Sequence, residues 1–289
     1  MGATQSSPDP GRESWSREGV IPRGKRVEGC EPLRDVHIAL LGDSTIDHKA
    51  YCVDDPSVEE VLRAALSAVS PSASHSSSDS QTPSSAFGKE GTTPTATNSV
   101  TLCARDGALM TAIARQANTM PDHATHIVIS VGGNDALGDI SILHRKCADV
   151  QEAAQLLKNF VDEFIAKLRE VMVATLQKYR WGKEDKDRKN IVLCSVYIPQ
   201  FGPFGVTNID QASVEVAALL LSKTIQNLAF ELSIPVIDLS RVVTSEECLA
   251  NPIEPNGKGA ERMARAILEV VRVHDFREDH HAIFPQRKL

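Results

Sequence analysis

Short apolar runs alternate with segments of helical periodicity along this chain, and this alternation limits the fold more than any other feature of the sequence. The runs are apolar throughout, which is typical of strands buried on both faces of a parallel sheet. Five such strands are predicted, at 36–41, 99–104, 126–131, 190–199 and 234–240. We therefore predict an α/β, three-layer fold with a five-stranded, flavodoxin-like parallel sheet in the order 2-1-3-4-5.

Helices are predicted between these strands from the spacing of apolar residues and from their end signals. A proline suited to a first helical turn opens the helix predicted at 56–69, and apolar residues fall on one face of 148–179. Two more are predicted over 210–232 and after Asn256. Each would cover a face of the sheet.

Three segments lack such periodicity and set the predicted domain organisation. Residues 1–33 are rich in Ser, Pro, Gly and Arg and are predicted to form a flexible leader, and residues 275–289 a polar tail. Residues 70–98 have few large apolar groups that could offset the entropy of ordering. We predict one domain over 34–274 that carries 70–98 as a disordered insertion.

Composition argues against several functional classes. The net charge is −7 and no basic patch is evident, so nucleic acid is not an expected partner. Six cysteines are scattered without CxxC spacing, which favours buried free thiols over a zinc site or a disulfide framework. Nothing in the sequence implies a metal or an organic cofactor.

The amino terminus bears on localisation. It is polar and lacks the apolar core of a signal peptide, so we expect a cytoplasmic protein. The opening "MGATQS" fits the N-myristoylation pattern with Gly2 as acceptor, although patterns this short also match by chance. One acyl chain would give at most weak, reversible association with a membrane, which makes a peripheral location the alternative.

Residues suited to catalysis follow the predicted strands at the points where the strands end. Ser44 follows the first strand, Gly107 the second and Asn134 the third, and Glu254 lies in a loop after the fifth. Since ligands of parallel α/β sheets bind at the carboxyl ends of the strands, these residues are predicted to meet at one edge. Each alone has an ordinary explanation as a helix cap, a helix start, a turn or a solvated charge. Their joint placement indicates a site.

Four sequence motifs at these positions resemble the SGNH (GDSL-type) hydrolase family. "LGDST" (41–45) and "VGGND" (131–135) resemble its first and third blocks closely, and "ARDGALM" (104–110) is a looser match to the second. "NPIEPNGKGAERMA" (251–264) resembles the fifth block, which normally reads Asp-x-x-His-Pro. The resemblance extends over about 35–273.

This resemblance implies acyl transfer with Ser44 as the nucleophile. It also implies an oxyanion hole in which the Gly107 amide and the Asn134 side chain donate hydrogen bonds. Donors of this type stabilise the negative oxygen of the transition state by about 3 kcal/mol each. The loop at 197–205 is expected to line the pocket.

The fifth block departs from the family at its two catalytic positions. Glu254 stands where the family has its histidine, and Asn251 where it has the orienting aspartate. Pro252 and Pro255 stiffen this loop, and Pro255 keeps the backbone of Glu254 out of the helical region. The direction of the Glu254 side chain is therefore expected to be fixed. In one account, Glu254 is the base and the neutral Asn251 amide hydrogen-bonds it, where an aspartate would repel it.

Two other accounts of this departure are open. In one, a different histidine is the base: His48, close after Ser44, or His280 and His281 in the tail. In the other, the site has lost catalysis and the protein binds an acyl or carbonyl-bearing ligand.

We predict a serine hydrolase that acts on a small-molecule acyl ester, with Ser44, Glu254 and Asn251 as catalytic residues and Gly107 and Asn134 at the oxyanion. An inactive binding protein of the same fold is the alternative. A carboxylate base also predicts that activity persists below about pH 6, where an enzyme that depends on histidine fades.

Overall fold

The computed structural model describes residue 33, residues 35–69 and residues 98–285. The predicted leader, with its candidate acceptor Gly2, lies outside the described residues except for residue 33. Most of the predicted insertion and the last four residues, 286–289, also lie outside them.

Six strands in the described part of the chain form one sheet in the order β2-β1-β3-β4-β5-β6, and every neighbouring pair is parallel. The strands are β1 (His37–Gly42), β2 (Ser99–Leu102), β3 (His126–Ser130), β4 (Asn190–Cys194), β5 (Val236–Ile237) and β6 (Ile283–Phe284). The predicted fold class and strand order are confirmed, but the predicted number of five strands is wrong. β6 comes from the segment predicted to be a polar tail, and two residues are too few to produce a periodic pattern.

Within the described residues, six α-helices connect and flank the strands. They are α1 (Val58–Val69), α2 (Ile113–Ala117), α3 (Gly133–Gly138), α4 (Val150–Tyr179), α5 (Gln211–Glu231) and α6 (Gly257–Val273). Alternate residues of β1 contribute to two separate cores. Ile38 and Leu40 pack with α1 and α6 on one face, while Ala39 and Leu41 pack with α2, α4 and α5 on the other. The uniformly apolar strands therefore form the middle layer of three.

The carboxyl end of β1 lies unusually close to β3. Gly42 has a φ of +143°, and a Cβ atom built on it would lie 1.8 Å from the Ser130 carbonyl oxygen. The buried Gln116 amide bonds both backbone groups of Gly42, at 2.7 Å and 2.8 Å. Glycine is therefore required at this position, and the turn that follows begins from a fixed point.

Two further features bear on location and redox chemistry. Within the described ranges, no helix combines the length and apolar character needed to cross a membrane. The five described cysteines are free thiols, and all but Cys147 are buried.

Candidate active site

Ser44 lies in a tight turn that follows β1. The Thr45 amide donates to Oδ1 of Asp43 at 3.0 Å, and the Ile46 and Asp47 amides donate to the Asp43 carbonyl at 3.1 Å and 3.0 Å. Ser44 is only 7% exposed, and it contributes to the wall of a pocket that Asn134 and Glu254 also line. The turn therefore holds the Ser44 hydroxyl in place at a cavity.

The loop that carries Glu254 is held by hydrogen bonds to its backbone. Oδ1 of Asn251 accepts from the Ile253 and Glu254 amides at 3.0 Å and 2.9 Å. The Tyr197 hydroxyl donates to the Ile253 carbonyl, and the Ala250 amide donates to the Glu254 carbonyl at 2.7 Å. Asn251 thus shapes the loop through its side-chain oxygen. Among the described hydrogen bonds, none joins its amide group to the Glu254 carboxylate, which differs from the contact expected from the sequence.

Ser44 and Glu254 meet at the pocket wall. Both residues line the same pocket, and a hydrogen bond with the Ser44 side chain acts to lower the pKa of the Glu254 carboxyl group. Glu254 is 5% exposed, and its Oε2 atom is buried without a hydrogen-bond partner among the described residues. Burial raises the pKa of Glu254 to about 7, outweighing the opposite effect of the Ser44 hydrogen bond. The expectation of activity below pH 6 assumed an ordinary carboxyl pKa, and this burial removes its basis.

Asp43 is a second buried carboxyl group beside the same pocket. It is 1% exposed, and its Oδ2 atom has no hydrogen-bond partner among the described residues. Burial raises the pKa of Asp43 to about 6, against the lowering effect of its hydrogen bonds with Thr45. Two acids with raised pKa values therefore flank the Ser44 hydroxyl.

Asn134 and the Gly107 loop are joined by a hydrogen bond. The Asn134 amide group donates to the Ala108 carbonyl at 3.1 Å, which leaves its second hydrogen for another acceptor. Gly107 has a φ of +72°, and no described residue accepts a hydrogen bond from its amide. Asn134 lines the pocket, while Gly107 is exposed and lies outside the pocket wall. The second and third sequence blocks therefore come together as the sequence predicts.

The pocket extends from Ser44 into an apolar space of about 920 Å³, a volume that includes its open end. Its far wall is formed by α3, α4, α5 and the short 3-10 helix Ile140–His144. Apolar side chains in this wall include Leu137, Ile142, Phe160, Val214, Ala218 and Leu221. Tyr197, Pro199 and Phe201 also line it, as expected for the loop after β4. No lysine, arginine or histidine is among the lining residues of the described chain.

None of the three candidate histidines lines this pocket. His48 is fully buried, its Nδ1 atom lies 3.1 Å from the Thr45 carbonyl oxygen, and burial lowers its pKa to about 4. The His280 ring packs against His274, and the His281 ring against Phe230. Asp43 and Glu254 are therefore the carboxyl side chains that line the pocket with Ser44.

Comparison with known families agrees with this arrangement of elements. The family model described as GDSL-like lipase/acylhydrolase matches residues 38–267, which is most of the chain. The chain belongs to this family. The matched range includes Ser44, Gly107, Asn134, Asn251 and Glu254.

Several solved structures share the fold of this GDSL-like chain at low sequence identity. A lipase from a goat rumen metagenome is 17% identical, with a TM-score of 0.52 over 80% of this chain and 94% of its own. A lipase/acylhydrolase from Enterococcus faecalis is 16% identical, with a TM-score of 0.50 over 82% of this chain and 95% of its own. Phospholipase A1 from Streptomyces albidoflavus is 15% identical, with a TM-score of 0.50 over 78% and 94%. A search of curated proteins finds no match.

Some parts of the GDSL-like site were not apparent from the sequence. Asp106 raises the pKa of Glu254 further, and the Tyr51 hydroxyl donates to Oδ2 of Asp106 at 2.9 Å. Asp106 directly precedes Gly107 after the second predicted strand, which marks its position, but its effect on Glu254 depends on the folded structure. Nothing in the sequence indicated Tyr51, because its position depends on how the segment after Ser44 folds. Within the described ranges, no cluster of three or more His, Cys, Asp or Glu side chains could hold a metal ion.

Proposed function

We propose that this protein is a serine esterase that hydrolyses esters with an apolar acyl group, with Ser44 as nucleophile and Glu254 as base. The observation that carries this proposal is the meeting of the Ser44 hydroxyl with the buried, incompletely hydrogen-bonded carboxyl group of Glu254. A carboxylate with a pKa near 7 is nearly as strong a base as imidazole, which removes the main objection to the replacement of histidine.

Acylation begins when Oγ of Ser44 attacks the ester carbonyl carbon while Glu254 accepts the hydroxyl proton. The carbonyl oxygen becomes an oxyanion, which the amides of Ser44 and Gly107 and the free hydrogen of the Asn134 amide group stabilise. The bond from carbon to the alcohol oxygen then breaks, and Glu254 returns its proton to the departing alcohol. The products of this half-reaction are a free alcohol and an acyl ester on Ser44.

Deacylation repeats the same steps with water. Glu254 accepts a proton from water as the water oxygen attacks the acyl carbon, and the same donors stabilise the second oxyanion. Collapse breaks the bond to Oγ of Ser44, which regains its proton from Glu254. The carboxylic acid leaves, and ester and water have been converted to acid and alcohol.

The pocket supports an apolar acyl group. Its wall beyond Ser44 is formed by aliphatic and aromatic side chains from α4 and α5, and the polar groups are concentrated at the Ser44 end. Each buried methylene of an acyl chain contributes about 0.8 kcal/mol to binding. Acyl chains of several carbons should therefore be preferred over acetyl.

A covalent probe tests this proposal before any natural substrate is known. A fluorophosphonate should label the full-length protein and the Ser67→Ala variant, but not Ser44→Ala. Ser67 lies on the exposed side of α1, where its hydroxyl bonds the Arg63 carbonyl, so it is a matched control. Hydrolysis of p-nitrophenyl butyrate should fall at least about 10³-fold in Ser44→Ala only. Equal labelling and equal rates in the two variants would favour the inactive binding protein.

A further inference from the structure

A second cavity lies beside the apolar pocket, and two side chains line both spaces. We call the pocket that begins at Ser44 the inner pocket and the second space the outer cavity. Ile142 and Leu143, from the 3-10 helix Ile140–His144, are common to the two linings. These two side chains therefore form a partition between the inner pocket and the outer cavity.

The two spaces are also neighbours along two helices. On α4, Phe160 lines the inner pocket, while Leu157, almost one turn earlier, lines the outer cavity. On α5, Val214 lines the inner pocket and the adjacent Ser213 lines the outer cavity. Both helices thus pass the two spaces in succession, and the outer cavity lies toward their amino-terminal ends. The outer cavity continues the far end of the inner pocket beyond the partition.

The lining of the outer cavity suits an alkyl chain. Its volume is about 690 Å³, which includes its open end. Besides the partition, its apolar lining residues are Ala153, Leu156, Leu157, Ala212 and Val216. No carboxyl group is among its lining residues in the described part of the chain. An alkyl chain that continued from the inner pocket would therefore remain largely in apolar surroundings, where burial of each further methylene group favours binding.

The partition belongs to a segment that the hydrophobic core does not hold. None of the residues of Ile140–His144 is buried, and Ile142 and Leu143 are half-buried. Backbone bonds support the segment: the Ile142 amide donates to the Asp139 carbonyl at 3.0 Å, and the Arg145 amide to the Ile142 carbonyl at 3.3 Å. Shortening either partition side chain therefore leaves these bonds and the core in place.

The proposed reaction directs the acyl chain toward this partition. The ester carbonyl lies at Ser44, and the chain extends along the apolar wall to the far end of the inner pocket, where Ile142 and Leu143 stand. We propose that Ile142 and Leu143 limit the length of the acyl chain that this protein accepts. Esters of short and medium acyl chains are then its substrates, because a longer chain meets the partition before it reaches the outer cavity. This inference rests on the proposed esterase function and specifies its substrate class.

Ester hydrolysis by the full-length protein tests the role of the partition. The quantity measured is the ratio of kcat/KM for p-nitrophenyl palmitate to that for p-nitrophenyl butyrate, in the same non-ionic detergent. This ratio should rise about tenfold in Leu143→Ala, a factor expected from the burial of two further methylene groups. Leu143→Val should give a smaller rise. Leu219→Ala is the matched control, because Leu219 is exposed on α5 and lines neither space, and it should leave the ratio unchanged.

Refilling the outer cavity shows whether the gain depends on that space. Ala153 lines the outer cavity and not the inner pocket, so Ala153→Phe reduces the outer cavity alone. Combined with Leu143→Ala, it should return the ratio to that of the starting protein. A gain that survives this refilling, or an unchanged ratio in Leu143→Ala, overturns the inference. Fluorophosphonate labelling of Ser44 confirms that each variant is folded, and the esterase proposal stands in either case.

Failure of the esterase proposal is a separate result. If no ester is cleaved in a manner that depends on Ser44, calorimetric binding of octanoate and palmitate tests the partition in a binding protein. Leu143→Ala should then tighten the binding of palmitate about tenfold relative to octanoate. Equal changes in affinity for the two fatty acids would refute the role of Ile142 and Leu143.

Discussion

Titratable side chains are buried both at the amino edge of the sheet, where the strands begin, and at the carboxyl edge, where they end. The two edges differ in how fully these side chains are hydrogen-bonded. At the amino edge, His37 and His126 open β1 and β3, and both are 6% exposed. Both ring nitrogens of each have neighbours within hydrogen-bond distance: Ser99 and Thr101 for His37, Thr125 and Asn190 for His126. At the carboxyl edge, Asp43 and Glu254 are as deeply buried, yet each keeps one oxygen without a described partner.

This difference separates a structural role from a chemical one. Burial shifts the pKa at both edges: it lowers that of His126 to about 4 and raises that of Glu254 to about 7. The shift alone therefore does not identify an active site. What distinguishes the carboxyl edge is that its acids face a cavity and lack partners, so that they can exchange protons with a bound molecule.

The largest effect is expected when one buried titratable residue is replaced at each edge of the sheet. Glu254→Gln should lower kcat/KM for p-nitrophenyl butyrate roughly 10³-fold, because an amide cannot accept the Ser44 proton. His126→Gln, at the amino edge, should leave the rate of the folded protein unchanged. Glu170→Gln, on the exposed side of α4, serves as a second control. A comparable loss of rate in His126→Gln would break the comparison between the edges.

Opposite pH dependence of stability should sharpen the same comparison. Glu254 has a folded-state pKa of about 7 against 4.5 for the model group, so the folded state binds the proton more tightly. Its contribution therefore declines as the pH rises from about 4.5 to 7, by on the order of 3 kcal/mol. His126 has a folded-state pKa of about 4 against 6.5 for the model group, so the unfolded state binds the proton more tightly. The contribution of His126 to stability therefore rises as the pH increases from about 4 to 6.5.

Denaturant titrations across this pH range measure both contributions. The difference in unfolding free energy between the starting protein and Glu254→Gln should decline with pH, and that for His126→Gln should increase. Slopes of the same sign would show that the two edges do not differ as described.

The pocket at the carboxyl edge has room for a larger side chain, whereas the packed core does not. Ala218→Leu fills part of the pocket and should shift the preferred acyl chain toward shorter esters, by about tenfold in the ratio of octanoate to butyrate hydrolysis. Ala117→Leu, at the end of α2 where the side chain is packed in the core, should cost about 1–3 kcal/mol of stability without changing that ratio. A shift in chain-length preference in both variants would contradict the assignment of the pocket.

The smallest expected effect concerns Asn251. Asn251→Asp keeps the side-chain oxygen that accepts from the Ile253 and Glu254 amides, so the loop should retain its stability. The added charge beside Glu254 should raise its pKa further, moving the acid limb of kcat/KM upward from about pH 7 by less than about one unit. A pH–rate profile measures this shift. A downward shift would show that Asn251 acts on Glu254 in another way.

The sequence alone predicted a large part of this architecture. Long apolar strands and helices produce regular patterns, so the order β2-β1-β3-β4-β5 and the meeting of Ser44 with Glu254 could be argued in advance. β6 could not, because Ile283 and Phe284 become a strand only by pairing with β5. The 3-10 helix Ile140–His144, which forms part of the pocket wall, has no comparable signal.

The amino-acid sequence by itself determined the layered fold and the chemical groups available at its carboxyl edge, because local periodicity and strand ends depend on neighbours along the chain. Only the tertiary structure decided how these groups behave. The pKa of Glu254, the contact of Asn251 with the loop backbone, and the position of Tyr51 and Asp106 beside the base all depend on burial and on residues far apart in the sequence. Desolvation and Coulomb interactions are properties of distance in space, which no linear pattern encodes.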